Sequence, residues 1–218
     1  MTFKKLSGPL FFRSLSVSLA TMALVVSAHA DYVWLERDAT GVVSAYLGDL
    51  EKGSQSVASL VAPRLFQADG KDLALETQGE RFVVPVVGSG NSSTGDLRLV
   101  TRRVTDKNVL NYYQARLGRA DTKAVNDLEI VPTTPKGNTF KLLWKGSTVA
   151  ATQVNVDTSE GWHRVLKSAK DGTVSFDPAF PGLYVLEVTA KVNGSVTVDG
   201  KKYDDVRHTA TLSFEVVR

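Results

Sequence analysis

The chain has 218 residues, with 26 Lys and Arg against 23 Asp and Glu and no cysteine. The basic excess lies in the first thirty residues, as Lys4, Lys5 and Arg13, so the remainder balances at 23 against 23. That balance removes the case for nucleic-acid or anionic-membrane binding, and the absence of cysteine excludes disulfide staples and thiolate metal sites.

The opening segment joins those three basic residues to an apolar run from Leu15 to Val26 and the small-residue ending Ser27-Ala28-His29-Ala30. This is the pattern of a secretory signal peptide, residues 1–30, and the run is too short for a comfortable membrane span. Cleavage after Ala30 starts the mature chain at Asp31, whereas cleavage after Ala28 would start it at His29. Both methionines, Met1 and Met22, lie in this segment. Export without disulfides fits a bacterial periplasm, and a chain of this length buries enough core to fold without staples.

Alternation at a period of two then dominates. Tyr32 to Leu35 and Val42 to Tyr46 read as strands joined by the turn Asp38-Ala39-Thr40-Gly41. Ser56, Val57, Leu60 and Val61 allow a short helix ending before Pro63, or an irregular excursion between sheets. Leu73 to Thr77, Arg81 to Val87 and Leu97 to Thr105 are strands, with Gly88 to Gly95 as an exposed loop. The apolar residues of Val109 to Leu117 serve either a helix or a strand, and Tyr112 and Tyr113 favour the strand. Leu128 to Val131 reads as the last strand of a first domain, residues 31–131, and the breaker cluster Pro132 to Gly137 opens a second, residues 132–218.

The second domain is the more regular. Four short strands carry Thr152, Val154 and Val156, then Trp162, Val165 and Leu166, then Val174 and Phe176, then Leu183, Val185, Glu187 and Thr189. Asp171-Gly172 and Pro181-Gly182 supply the turns, and Thr209 to Val217 closes the domain with one apolar face. The fold class expected is therefore all-β: two immunoglobulin-like antiparallel β-sandwich domains after a cleaved signal peptide.

The pieces Trp34-Leu35-Glu36, Gly161-Trp162, Pro181-Gly182-Leu183-Tyr184 and His208-Thr209-Ala210-Thr211-Leu212 resemble a bacterial periplasmic family described as nickel- or cobalt-uptake-associated components. The resemblance covers nearly the whole mature chain. The carboxy-terminal half also resembles the immunoglobulin-like repeats of carboxypeptidase regulatory and collagen-adhesin stalk modules, a likeness of fold and not of function. What the family resemblance implies is a periplasmic role near divalent-metal supply, with an inner-membrane metal transporter or an envelope protein as partner.

Without sulfur, nickel or cobalt needs imidazoles and carboxylates, and the candidate metal ligands are His163 and His208, with His29 added by the earlier cleavage. His163 follows Trp162, and His208 follows Asp204, Asp205 and Arg207, so a joint site requires those regions to meet. A terminal His29 would chelate Cu(II) through its amine and ring. The structural alternative for each is a surface or edge histidine. No nucleophile elbow, His-Glu-x-x-His or phosphate-cradling loop is present. The expectation is a binding protein and not an enzyme: a periplasmic accessory of nickel or cobalt uptake, or else a metal-free envelope interaction module.

Overall fold

The computed structural model describes residues 31–85, 95–151, 153–192 and 195–217; residues 1–30 with His29, the end of the expected Arg81–Val87 strand, most of the Gly88–Gly95 loop and Thr152 lie outside the described residues. These residues form nineteen strands and no α-helix. β1 (Tyr32–Arg37) and β2 (Val43–Asp49) make a hairpin, and Asp38 Oδ1 closes its turn by accepting from the Thr40 and Val42 amides at 2.8 and 3.0 Å. β3 (Gly53–Gln55) folds back on β2. In place of a helix before Pro63 there is a single 3-10 turn, Val57–Ser59, capped by Ser56. β4 (Val61–Gln67) then passes through Pro63, because a register shift between Val61 and Arg64 opens the ladder where the proline has no N–H to give. β5 (Asp72–Leu73), β6 (Glu76–Gln78), β7 (Arg81–Val83), β8 (Leu97–Val104) and β9 (Val109–Leu117) complete this half, so Val109 to Leu117 is indeed a strand.

The other half contains β10 (Leu128–Pro132), β11 (Thr139–Trp144), β12 (Ser147–Thr148), β13 (Val154–Thr158), β14 (His163–Leu166), β15 (Thr173–Ser175), β16 (Gly182–Val192), β17 (Val196–Val198), β18 (Lys201–Tyr203) and β19 (Asp205–Val216). β17 and β18 form a separate hairpin. One sheet joins β1, β2, β7 and β6, with β3 on β2; a second joins β10, β11 and β12, with β15 on β11. Between them runs an eight-stranded sheet in the order β14-β13-β16-β19-β9-β8-β4-β5. All its pairs are antiparallel except β19 with β9, whose parallel ladder runs from Asp205↔Val109 to Ser213↔Leu117.

That ladder carries one sheet across both halves of the chain, and the two hydrophobic cores lie on its opposite faces. Tyr113, Ala115 and Leu117 of β9 join Leu35, Leu47 and Leu99 in the amino-terminal core. Ala210, Leu212 and Phe214 of β19 join Ile130, Phe140 and Tyr184 in the carboxy-terminal core. Since Ala210 is level with Gln114 and Thr211 with Ala115, the two sets point to opposite sides. Behind Leu212, the hydroxyls of Thr211 and Ser213 donate to the Val33 and Leu35 carbonyls and fasten β1 across the sheet.

Two details differ from the sequence reading. β10 pairs with β11 and buries Leu128 and Ile130 in the carboxy-terminal core, so it is not the last strand of the first half. In β16 the residues facing that core are Tyr184, Leu186 and Val188, whereas Leu183 and Val185 pack beneath Tyr32 and Trp34 of β1. Leu183 to Leu186 are apolar at every position, so neither face of this stretch is marked as polar. Tyr184 also donates its hydroxyl to the Phe180 carbonyl at 3.0 Å, bracing the Pro181-Gly182 turn as a tyrosine corner does.

Over β8 and β9, where the carboxy-terminal sheet does not reach, residues 118–127 lie on a buried ionic network. Arg98 and Arg116 are fully buried and share Glu129 Oε1 at 3.0 and 2.9 Å. Arg116 also meets Asp96 at 2.6 Å, and Arg98 meets Asp121 at 3.0 Å. The same carboxylates take the segment's amides: Glu129 Oε2 accepts from Val125 and Asn126, and Asp96 from Ala120 and Asp121. Replacing Glu129 with Ala would leave two guanidinium groups buried without their common acceptor, a loss of about 3–5 kcal/mol. Denaturant unfolding should show that loss for Glu129→Ala, against less than about 1 kcal/mol for Arg64→Ala, whose pair with Asp72 is solvent-exposed.

Candidate functional site

Beyond the edge of the carboxy-terminal sheet, the floor of the central sheet is left open on that face, and a cleft of about 690 Å³ forms there. The parallel register sets His208 of β19 beside Tyr112 of β9, and their rings stack at 4.8 Å with 17° between planes. Trp144 at the end of β11 meets the imidazole edge-to-face at 4.7 Å. The chain turns sharply after Trp144, Lys145 taking φ 48° and donating its amide to the Asp127 carbonyl at 2.6 Å. The wall therefore comes from β11 and residues 125–127, and Val196 and Val198 of β17 and Phe66 of β4 line the other sides. Trp144 also lines a second cleft, of about 760 Å³, with Val149, Val188 and Ala190.

The hydrogen bonds fix the protonation of His208. The Leu128 amide donates to Gln114 Oε1 at 2.8 Å, which leaves the Gln114 NH2 group to face the ring. That group only donates, so His208 Nδ1, 3.2 Å away, accepts, and the proton of the neutral ring sits on Nε2. Burial lowers the imidazole below its ordinary value of 6.5; the Asp127 charge opposes this and Lys145 adds to it. A metal bound at Nε2 needs Nδ1–H turned to an acceptor, and here Nδ1 faces a donor.

His163 has the opposite arrangement. It lies opposite Asp157 in the β13–β14 ladder, and its Nδ1 stands 2.6 Å from Asp157 Oδ1. A carboxylate accepts, so Nδ1 carries the proton. Asp157 Oδ2 accepts from the Tyr32 hydroxyl at 3.0 Å, and that hydroxyl accepts from the Leu50 amide at 2.9 Å. Burial first, and then the Asp157 charge, raise the Tyr32 phenol far above its ordinary value, so it remains a donor.

The two histidines are not brought together. β13 and β16 separate their strands, three steps of the sheet or about 14 Å. They also face opposite sides: Asp157 and His163 share the face of Val185, while His208 shares that of Ala190. Asp205 is ion-paired with Lys191 and Arg207 at 3.3 and 3.0 Å. Among the described residues no group of three or more His, Cys, Asp or Glu is placed to hold a metal ion, and no helix is long and apolar enough to cross a membrane. His29 lies outside the described residues.

The cleft residues other than His208 carry no mark in the sequence as site residues. Trp144 packs partly against the carboxy-terminal core and also lines the cleft. Gln114, Asn126 and Asp127 belong to no motif, and only the β9–β19 pairing collects them. The chain matches no protein-family model and no curated protein.

Because His208 is held below its ordinary value, the unfolded chain binds its proton more readily than the folded chain. Its contribution is complete above pH 6.5 and declines as the pH falls below that value. Denaturation midpoints at about pH 7.5 and about pH 5.5 should therefore differ more for the wild type than for His208→Gln.

Proposed function

We propose that the chain is a non-catalytic, exported binding module of the bacterial envelope, and that it takes its ligand in the cleft beside His208. The observation that carries this reading is the state of that imidazole. Its basic nitrogen is engaged by Gln114 and its other nitrogen is protonated, so it is set to donate a hydrogen bond and not to abstract a proton. An aromatic-walled cleft of about 690 Å³ around such a donor suits recognition of a small ligand. Export rests on the signal-like residues 1–30, and the periplasm on the absence of cysteine.

One observation favours a second reading, an accessory of nickel or cobalt uptake that serves an inner-membrane transporter, as the family resemblance implies. His163 is oriented by Asp157 as metal-bound histidines are oriented by carboxylates, which makes it the better ligand candidate of the two. The wide separation of His163 from His208 and the absence of a three-ligand group among the described residues weigh towards the module without a metal.

Calorimetric titration of the processed protein with Ni²⁺ and Co²⁺, its amino terminus confirmed by mass, separates the two. The expected result is no stoichiometric binding tighter than about 1 mM. Tight binding lost in His163→Ala and kept in His208→Ala would establish the second reading. Tight binding lost in His208→Ala would overturn the proton placement on that ring.

A further inference from the structure

We infer that the ligand of the His208 cleft is a carbohydrate, bound as one or two pyranose rings; this rests on the cleft being the binding surface. Three features select that chemistry. Trp144 and Tyr112 pack on the imidazole, which covers one face of Tyr112, and Lys145 reaches over Trp144; the ring surface they leave to the cleft is of the kind on which the C–H face of a sugar ring packs. Asn126 and Asp127, adjacent in the chain, line the same cleft and add a donor and an acceptor to it. A vicinal pair of hydroxyls, each both donor and acceptor, matches them.

The second feature is an unsatisfied donor. Asn126 is only 7% exposed and lines the cleft, yet its Nδ2 has no partner in the protein. Its amide is held by Glu129 Oε2 at 2.8 Å, so the buried ionic network fixes where this side chain begins. A buried donor left unpaired loses about 1–3 kcal/mol, which a hydroxyl oxygen would recover once the Asn126 side chain turns its amide into the cleft.

The third feature limits the competing class, an extended peptide. The floor strands β9 and β19 are each paired on both sides, β9 by β8 and β19, β19 by β16 and β9, so a peptide strand could add only along β17, whose one partner is β18. Charge gives no handle for a phosphate or an acidic ligand either. Asp127 and Lys145 offset one another, and Arg64 is paired with Asp72 at 2.8 Å.

The test is amide and indole NMR of the full mature chain titrated with cellobiose, maltose and N,N′-diacetylchitobiose, then with a mixed-sequence hexapeptide library. The expected result is saturable shifts at Tyr112, Trp144 and the Asn126 and Gln114 side-chain amides with at least one sugar. The expected Kd is about 1 mM or tighter, weakened about tenfold in Trp144→Leu and again in Asp127→Asn, with unchanged shifts elsewhere reporting that each variant is folded. Sugar-induced shifts confined to residues outside the cleft would overturn the inference. A response at the cleft to the peptides alone would also overturn it while leaving the cleft as the binding surface. No response there to any probe would overturn both.

Discussion

Everything in this fold depends on the parallel pairing of β9 with β19. A parallel pair cannot be closed by a hairpin and needs a crossover connection. Here the crossover is nearly the whole carboxy-terminal half, from Gly118 to Asp204, which folds into its own four-stranded sheet before β19 returns. The consequence is one continuous sheet with a core on each face. Since the ladder that unites the halves joins residues about a hundred positions apart, its loop-closure cost has to be met before its contacts repay it.

The offset of the two covering sheets creates a second requirement. Where neither the carboxy-terminal sheet nor solvent covers the polar face of β8 and β9, residues 118–127 do, and an irregular segment laid on a sheet has amides and carbonyls with no ladder to join. Side chains supply the partners: Glu129 and Asp96 take four amides, and Arg98 and Arg116 give to the carbonyls of Gly118, Asp121 and Lys123. The φ of 97° at Gly118 suits glycine, and a Cβ there would run into the Asp96 carboxylate. The charges serve to hold backbone in place, and the segment they hold delivers Asn126 and Asp127 to the cleft. Stability and site are thus supplied by the same buried carboxylates.

The sequence is legible where chemistry is local. Asp38 in its turn, Gly172 at φ 74° and the alternation of β8, β9, β13 and β19 are short-range signals, and each element stands where those signals place it. It becomes illegible where meaning comes from a distant partner. Arg98 and Arg116 alternate with apolar residues like any solvent-facing pair, and nothing nearby announces that Glu129 will bury them. Leu183 to Leu186 of β16 are apolar on both sides, so the phase of that stretch is undetermined until β1 is known to cross it. Val57–Ser59 has the spacing of a helix over one turn only, too short to repay nucleation, and the bulge before Arg64 lets strand replace helix through Pro63.

The histidines show the same limit in its chemical form. In composition they are equivalent imidazoles, each a candidate ligand. In the fold, Asp157 accepts from one Nδ1 and Gln114 donates to the other, so the proton sits on opposite nitrogens of the two rings. What decides the Gln114 orientation is a single backbone amide, that of Leu128, which belongs to β10 and so to the opposite half of the chain. The chemistry offered by His208 is therefore a property of the junction between the halves, written by the β9–β19 register and by the strand that packs above it. A site of this kind leaves no motif, because its residue types are ordinary and their only distinction is which neighbours the topology gives them.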